Sequence, residues 1–131
     1  MLSNDSPQNG NQPQRRGLLD ERLLRLAVRV ISVCHALPRT EVGKHVGDQL
    51  MRSGTSAGAN YREACGYESR ADFVHKMQIV LKELRETDYW LRLAIEAHLV
   101  PEKRLGDLLQ ECHELTAMTV RSLTTAKGRG K

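Results

Sequence analysis

Apolar residues recur along this chain at alternating steps of three and four, with polar residues filling the positions between. In the first such stretch Leu19, Leu23, Leu26, Val30, Val33 and Leu37 form one seam that ends at Pro38. That spacing marks the buried stripe of an amphipathic helix, and proline, which has no amide donor, closes it. The second stretch opens at Thr40, whose hydroxyl suits an N-cap, and Glu41 follows where the helix dipole favours an acid. Its predicted inner side carries Val42, Val46, Leu50, Ser53, Ala57 and Ala64. The third stretch begins with the capping box Ser69-Arg70-Ala71-Asp72 and holds neither glycine nor proline as far as Val100. Val74, Met77, Leu81, Leu84, Asp88, Leu91, Ile95 and His98 trace its predicted seam, widened by Phe73, Val80 and Trp90. After Pro101 a fourth helix turns Leu105, Leu108, Cys112, Leu115 and Thr119 inward.

The second helix contains an unusual segment, RSGTSAGANYREA at residues 52–64. Each glycine in a helix costs about 1 kcal/mol relative to alanine, so such a segment needs a compensating reason to be helical. Gly43, Gly47, Gly54 and Gly58 follow one another at steps of four, seven and four. This register removes side-chain bulk from one stripe and lets another backbone come close, either in the same bundle or across a subunit interface. A phosphate-cradling loop is excluded, because neither the G-x-x-x-x-G-K-[ST] pattern nor a preceding strand is present.

Short connections around Pro38, residues 66–69 and Pro101 make neighbouring helices antiparallel. The expected fold is therefore all-α, an up-down four-helix bundle over residues 18–125. Residues 1–17, rich in Asn, Gln, Pro and Ser, are expected to be a disordered tail, and residues 126–131 a basic one. Aromatic residues make up only 4% of the chain, so aliphatic side chains and alanine must fill the core. Three widely spaced cysteines without a CxxC motif read as reduced core residues in a cytoplasmic protein. The N-terminus lacks the apolar run of a signal peptide, and no stretch reaches the roughly 20 apolar residues of a membrane span.

The segment LPRTEVGKHVGDQLMRSGTSAGANYREACGYESRADFVHKMQIVLKELRETDYWLRL resembles the four helix bundle protein family. Its founding members are encoded in intervening sequences of bacterial 23S ribosomal RNA genes. The positions that carry the likeness are Leu50, Arg52, Ser53, Ser56, Asn60, Glu63, Ser69, Phe73, Lys76, Lys82, Glu83, Glu86, Trp90 and Leu91. The resemblance implies a bundle assembled into a homopentameric ring. A more distant likeness, to the accessory protein of diversity-generating retroelements, implies nucleic acid and a reverse transcriptase as partners.

The formal net charge is +4, and the excess sits at the ends: Arg15 and Arg16 near the start, Arg121, Lys127, Arg129 and Lys131 at the finish. Arg22, Arg25 and Arg29 share one face of the first helix. These nine residues are the candidate nucleic-acid contacts, directed at phosphate because no aromatic residue is interleaved among them. Arg52, Asn60, Glu63, Glu83, Glu86 and Asp88 read as a polar network fixing the register of two helices, with Asp88 most in need of a partner. Two Arg/His spacings, Arg70 to His75 and Arg29 to His35, match a ribonuclease-like pattern at the frequency chance allows. No metal, cofactor or catalytic residue is assigned. The expectation is a non-enzymatic, self-associating scaffold for RNA or DNA, against the alternative of a purely protein-binding oligomer.

Overall fold

A computed structural model describes residues 7–128, with side chains from residue 17 onward. It contains four helices: α1 (Pro7–Ala36), α2 (Glu41–Cys65), α3 (Arg70–Glu96) and α4 (Glu102–Gly128). No strand occurs among the described residues. Each helix packs on its neighbour in sequence and α1 also touches α4, the shallowest of these contacts, so the four enclose one core as a bundle.

The helix boundaries follow the caps. Thr40 accepts a hydrogen bond from the Gly43 amide at 3.1 Å and starts α2. Ser69 accepts from the Asp72 amide at 3.1 Å, while the Asp72 carboxylate accepts from the Glu68 amide at 3.3 Å. Beyond α3, His98 takes a φ of 58°, and its amide and that of Leu99 return to the carbonyls of Ile95 and Ala94. This is the left-handed helix stop usually given to glycine. At the other end α1 begins at Pro7, so residues 7–17, assigned by composition to a disordered tail, are helical backbone. Extending an existing helix adds one hydrogen bond per residue without a new nucleation cost. Residues 1–6 and 129–131 lie outside the described residues.

All six predicted seam residues of α1 are buried, as are the five of α4, to which Leu123 is added. In α3 the register differs. Met77, Leu84 and Leu91 are central, but Val80, Thr87 and Ala94 fill the alternate positions, and Leu81, Asp88 and Ile95 stand at the half-buried edge facing α4. Both heptad registers share every second residue, so spacing alone could not separate them. Burial chemistry does: the Thr87 hydroxyl is satisfied by the Glu83 carbonyl at 2.8 Å, whereas a buried Asp88 carboxylate would need a full counter-charge. His98 is exposed, as is Val42, at 57%.

Gly54 and Gly58 of α2 face α1, and Gly43 and Gly47 face the turn that follows it. A Cβ on Gly58 would sit 3.4–3.6 Å from Leu23, including its backbone; on Gly54, 2.8 Å from both methyls of Val30; on Gly47, 3.4 Å from Leu37. On Gly43 it would lie 1.9 Å from the Pro38 carbonyl oxygen. The small-residue stripe is thus the close approach of α2 to α1 and to the Leu37-Pro38 connection within one chain. The Cys34 thiol, 3.4 Å from the Gly47 carbonyl oxygen, adds a weak hydrogen bond to it.

Candidate nucleic-acid interface

The basic residues singled out from the sequence have different surroundings. Arg22 is committed to the bundle. Its Nε and Nη2 donate to the two carboxylate oxygens of Glu111 at 2.8 and 2.6 Å, Nη2 also reaches Glu114 at 2.8 Å, and Nη1 contacts the Met118 sulfur at 3.5 Å. With its side chain 25% exposed and forked onto α4, Arg22 holds α1 to α4 and is not available to a ligand. The hydrogen bond and charge of Arg22 hold the Glu114 carboxyl below the ordinary carboxylate range. Arg25 is exposed, with Glu21 at 4.0 Å. Arg29, Arg121 and Lys127 are exposed and have no acidic partner among the described residues. The side chains of Arg15 and Arg16 lie outside the described residues, as do Arg129 and Lys131.

The expected polar network divides into separate pairs. Arg52 does meet Glu83, with Nη1 at 3.1 and 3.3 Å from the two oxygens, and its Nη2 donates to Glu86. The Glu83 side chain is only 10% exposed, so this pair joins α2 to α3 at the rim of the core. Beneath it the Thr87 hydroxyl, donating to the Glu83 carbonyl, is 3.0 Å from the Ser53 hydroxyl and can accept from it, a buried link that apolar periodicity could not indicate. Glu63 instead pairs with Lys76 at 2.8 Å, and Asn60 bonds the Ser56 carbonyl of its own helix at 2.9 Å. Asp88 turns to α4, where its carboxylate lies 2.6 Å from His113 Nε2. Arg52 with Glu83 and Glu86, and Glu63 with Lys76, thus join α2 to α3, whereas Asn60 bonds within its own helix and Asp88 reaches α4.

The Arg/His spacings do not converge. At 100° per residue, Arg70 and His75 stand about 140° apart around α3, and Arg29 and His35 about 120° apart around α1. Cys34 packs against α2 and Cys112 against α3, where Cys112 donates to the Leu84 carbonyl at 3.3 Å. Burial, reinforced by Asp88 and Glu111, pushes the Cys112 thiol up to about 12. Among the described residues no three His, Cys, Asp or Glu side chains gather in a metal-binding group. No helix among them is long and apolar enough to cross a membrane.

A basic strip that charge counting misses runs along the outside of α3. Residues 82–92 read KELRETDYWLR, with three bases and three acids, a net charge of zero. The fold separates them. Glu83 and Glu86 turn to Arg52, and Asp88 turns to His113. Lys82, Arg85 and Arg92 are left exposed, without an acidic partner among the described residues. The visible signal was the spacing of the three bases at steps of three and seven, which keeps them on one helix face.

Comparison with known proteins places this bundle. The family model for the 23S rRNA-intervening sequence protein matches residues 21–121, nearly all of the packed core. A crystal structure of a protein of unknown function from the S23 ribosomal protein family of Bacteroides thetaiotaomicron is 33% identical and superposes with a TM-score of 0.76. The match covers 80% of this chain and 97% of that one. No curated protein matches the chain in sequence. With both the family pattern and the helical framework in agreement, the chain belongs to the 23S rRNA-intervening sequence protein family.

Proposed function

We propose that the protein is a non-enzymatic, oligomeric scaffold of the cytoplasm that binds the backbone of RNA or DNA and presents it to a protein partner such as a reverse transcriptase. The observation that carries this reading is the pairing state of its surface charges. Carboxylates occupy Arg22, Arg52, Arg62 and Lys76, yet Arg29, Lys82, Arg85, Arg92, Arg121 and Lys127 stand exposed without one among the described residues. Unneutralised cations on a rigid helical frame favour a polyanion, because each phosphate they meet releases condensed counterions.

In this reading the helices run up and down in turn, and five copies close into a ring. Self-association is supported by Leu24, Val28 and Ile31, an exposed apolar strip at i, i+4 and i+7 on α1. Repetition around a ring turns several weak phosphate contacts into one avid surface. The test is binding of purified protein to labelled RNA and DNA at two salt concentrations, with the mass measured in the same buffer. Salt-sensitive binding by an oligomer is expected. A stable oligomer indifferent to both nucleic acids overturns the proposal and leaves a protein-binding role.

A further inference from the structure

The outer face of α3 carries more than charge. Lys82, Arg85, Tyr89 and Arg92 fall within an arc of about 80° and span about 15 Å along the axis, at 100° and 1.5 Å per residue. Tyr89 is 57% exposed, so a large aromatic ring lies in solvent between two arginines. It is not loosely placed. Its ring meets Trp90 edge to face, with centroids 5.1 Å apart and planes at 83°, and Trp90 in turn meets His45 at 5.7 Å and 77°. Trp90 is half-buried and packed against the core, so it braces the phenol ring from one side. A perpendicular neighbour covers at most one face of a ring, and the other remains open.

We propose that this face of α3 binds single-stranded nucleic acid, with Lys82, Arg85 and Arg92 on successive phosphates and Tyr89 as a stacking platform for an unpaired base. The proposal rests on the scaffold reading above and names its contact surface and its ligand class. Phosphate contact alone would serve a duplex equally well. An aromatic face selects against the duplex, whose bases are already stacked on one another, and gives no preference among bases, since each has a π-face. The bracing by Trp90 lowers the ordering cost of engaging the ring. The acids within the strip are drawn away from a phosphate, Glu83 and Glu86 by Arg52 and Asp88 by His113, and the exposed Glu96, one turn beyond Arg92, bounds it at the end of α3.

The experiment is fluorescence anisotropy with full-length protein and three probes: a labelled oligo-deoxythymidine, an oligouridine of equal length, and a duplex of equal length. Three phosphate contacts give a slope of log affinity on log salt of about −2, so a fourfold rise in salt weakens single-strand binding by about 20-fold. The K82A/R85A/R92A variant loses that part of the slope and binds at least tenfold more weakly. Tyr89→Ala weakens single-strand binding by about 5- to 150-fold with the salt slope unchanged, while Tyr89→Phe keeps it. Circular dichroism confirms that each variant stays helical. The two single-stranded probes report whether RNA or DNA is preferred. Equal affinity for duplex and single strand, or an inert Tyr89→Ala, overturns the inference. Binding kept by the α3 variants but lost in R29A/R121A/K127A also overturns it and leaves the scaffold reading standing. No binding of any probe by the unaltered protein overturns both.

Discussion

Replacing Gly54 by alanine sets two effects of known sign against each other. Alanine is the better helix former by about 1 kcal/mol, and a Gly54→Ala change in an exposed helix would stabilise by that amount. Here the new Cβ would lie 2.8 Å from both methyls of Val30. Val30 is fully buried on α1, and a β-branched side chain in a helix has one strongly preferred χ1 rotamer, so it cannot rotate away. Overpacking of this kind costs about 1–3 kcal/mol, which leaves a net loss of up to about 2 kcal/mol. Two other glycines bracket the case. Gly106 on α4 has nothing within 4 Å of its would-be Cβ, so Gly106→Ala is expected to gain about 1 kcal/mol. At Gly43 the obstacle is the Pro38 carbonyl oxygen at 1.9 Å, a backbone atom, and Gly43→Ala is expected to be the most damaging of the three. Urea unfolding at fixed protein concentration gives the three free energies. In a Val30→Ala background both methyls are gone and only the tight Cβ contact at 3.0 Å remains, so the alanine should recover most of its gain, a coupling of about 1–3 kcal/mol. If Gly54→Ala stabilises as much as Gly106→Ala, the glycine stripe is not a packing device and the reasoning fails.

Three further outcomes follow from the same structure. Arg52→Ala leaves the Glu83 carboxylate buried without its counter-charge and should cost about 2–4 kcal/mol in urea unfolding, whereas Arg62→Ala, which frees only a surface bridge to Asp20, should be barely measurable. His98→Gly removes the strain of a side chain at a φ of 58° and should raise stability by about 0.5–1 kcal/mol, seen as a higher midpoint of thermal unfolding. Because Arg22 lowers the Glu114 carboxyl in the folded state, that group contributes stability above its ordinary range and loses it as acid protonates the folded form. Stability plotted against pH should therefore fall on the acid side, and Glu114→Gln should flatten that limb.

Much of the fold could be read from spacing because the signals agreed. The α1 and α4 seams combined a single heptad register with proline punctuation, and Thr40 and Ser69 are caps by composition and by geometry. The α3 register was ambiguous, since Leu81 and Ile95 outrank Thr87 and Ala94 as apolar residues, and only the packing on α2 and α4 chooses between them. The Arg22 face is legible from one helix but its occupation is not, because Glu111 and Glu114 lie 89 and 92 positions away in sequence. The α3 strip stayed hidden for the same reason. Its acids and bases cancel until Arg52 and His113, from other helices, take the acids. Pairing across helices decides which charges remain for a ligand, and that is a property of the fold, not of composition.

The shallow contact between α1 and α4 gives the bundle a clasp. Three of its seams follow directly from short turns, but the fourth joins the first helix to the last and has no covalent help. Arg22 spans it with a fork to two carboxylates, and it is the thinnest of the four. Breathing of the bundle should begin there, with α4 swinging out from α1 while the glycine-tight α1–α2 pair stays shut. Amide hydrogens on the α1-facing side of α4 would then exchange ahead of those in α2. Acid would loosen the same clasp by discharging Glu114, so the bundle carries its own point of first opening where its first and last helices meet.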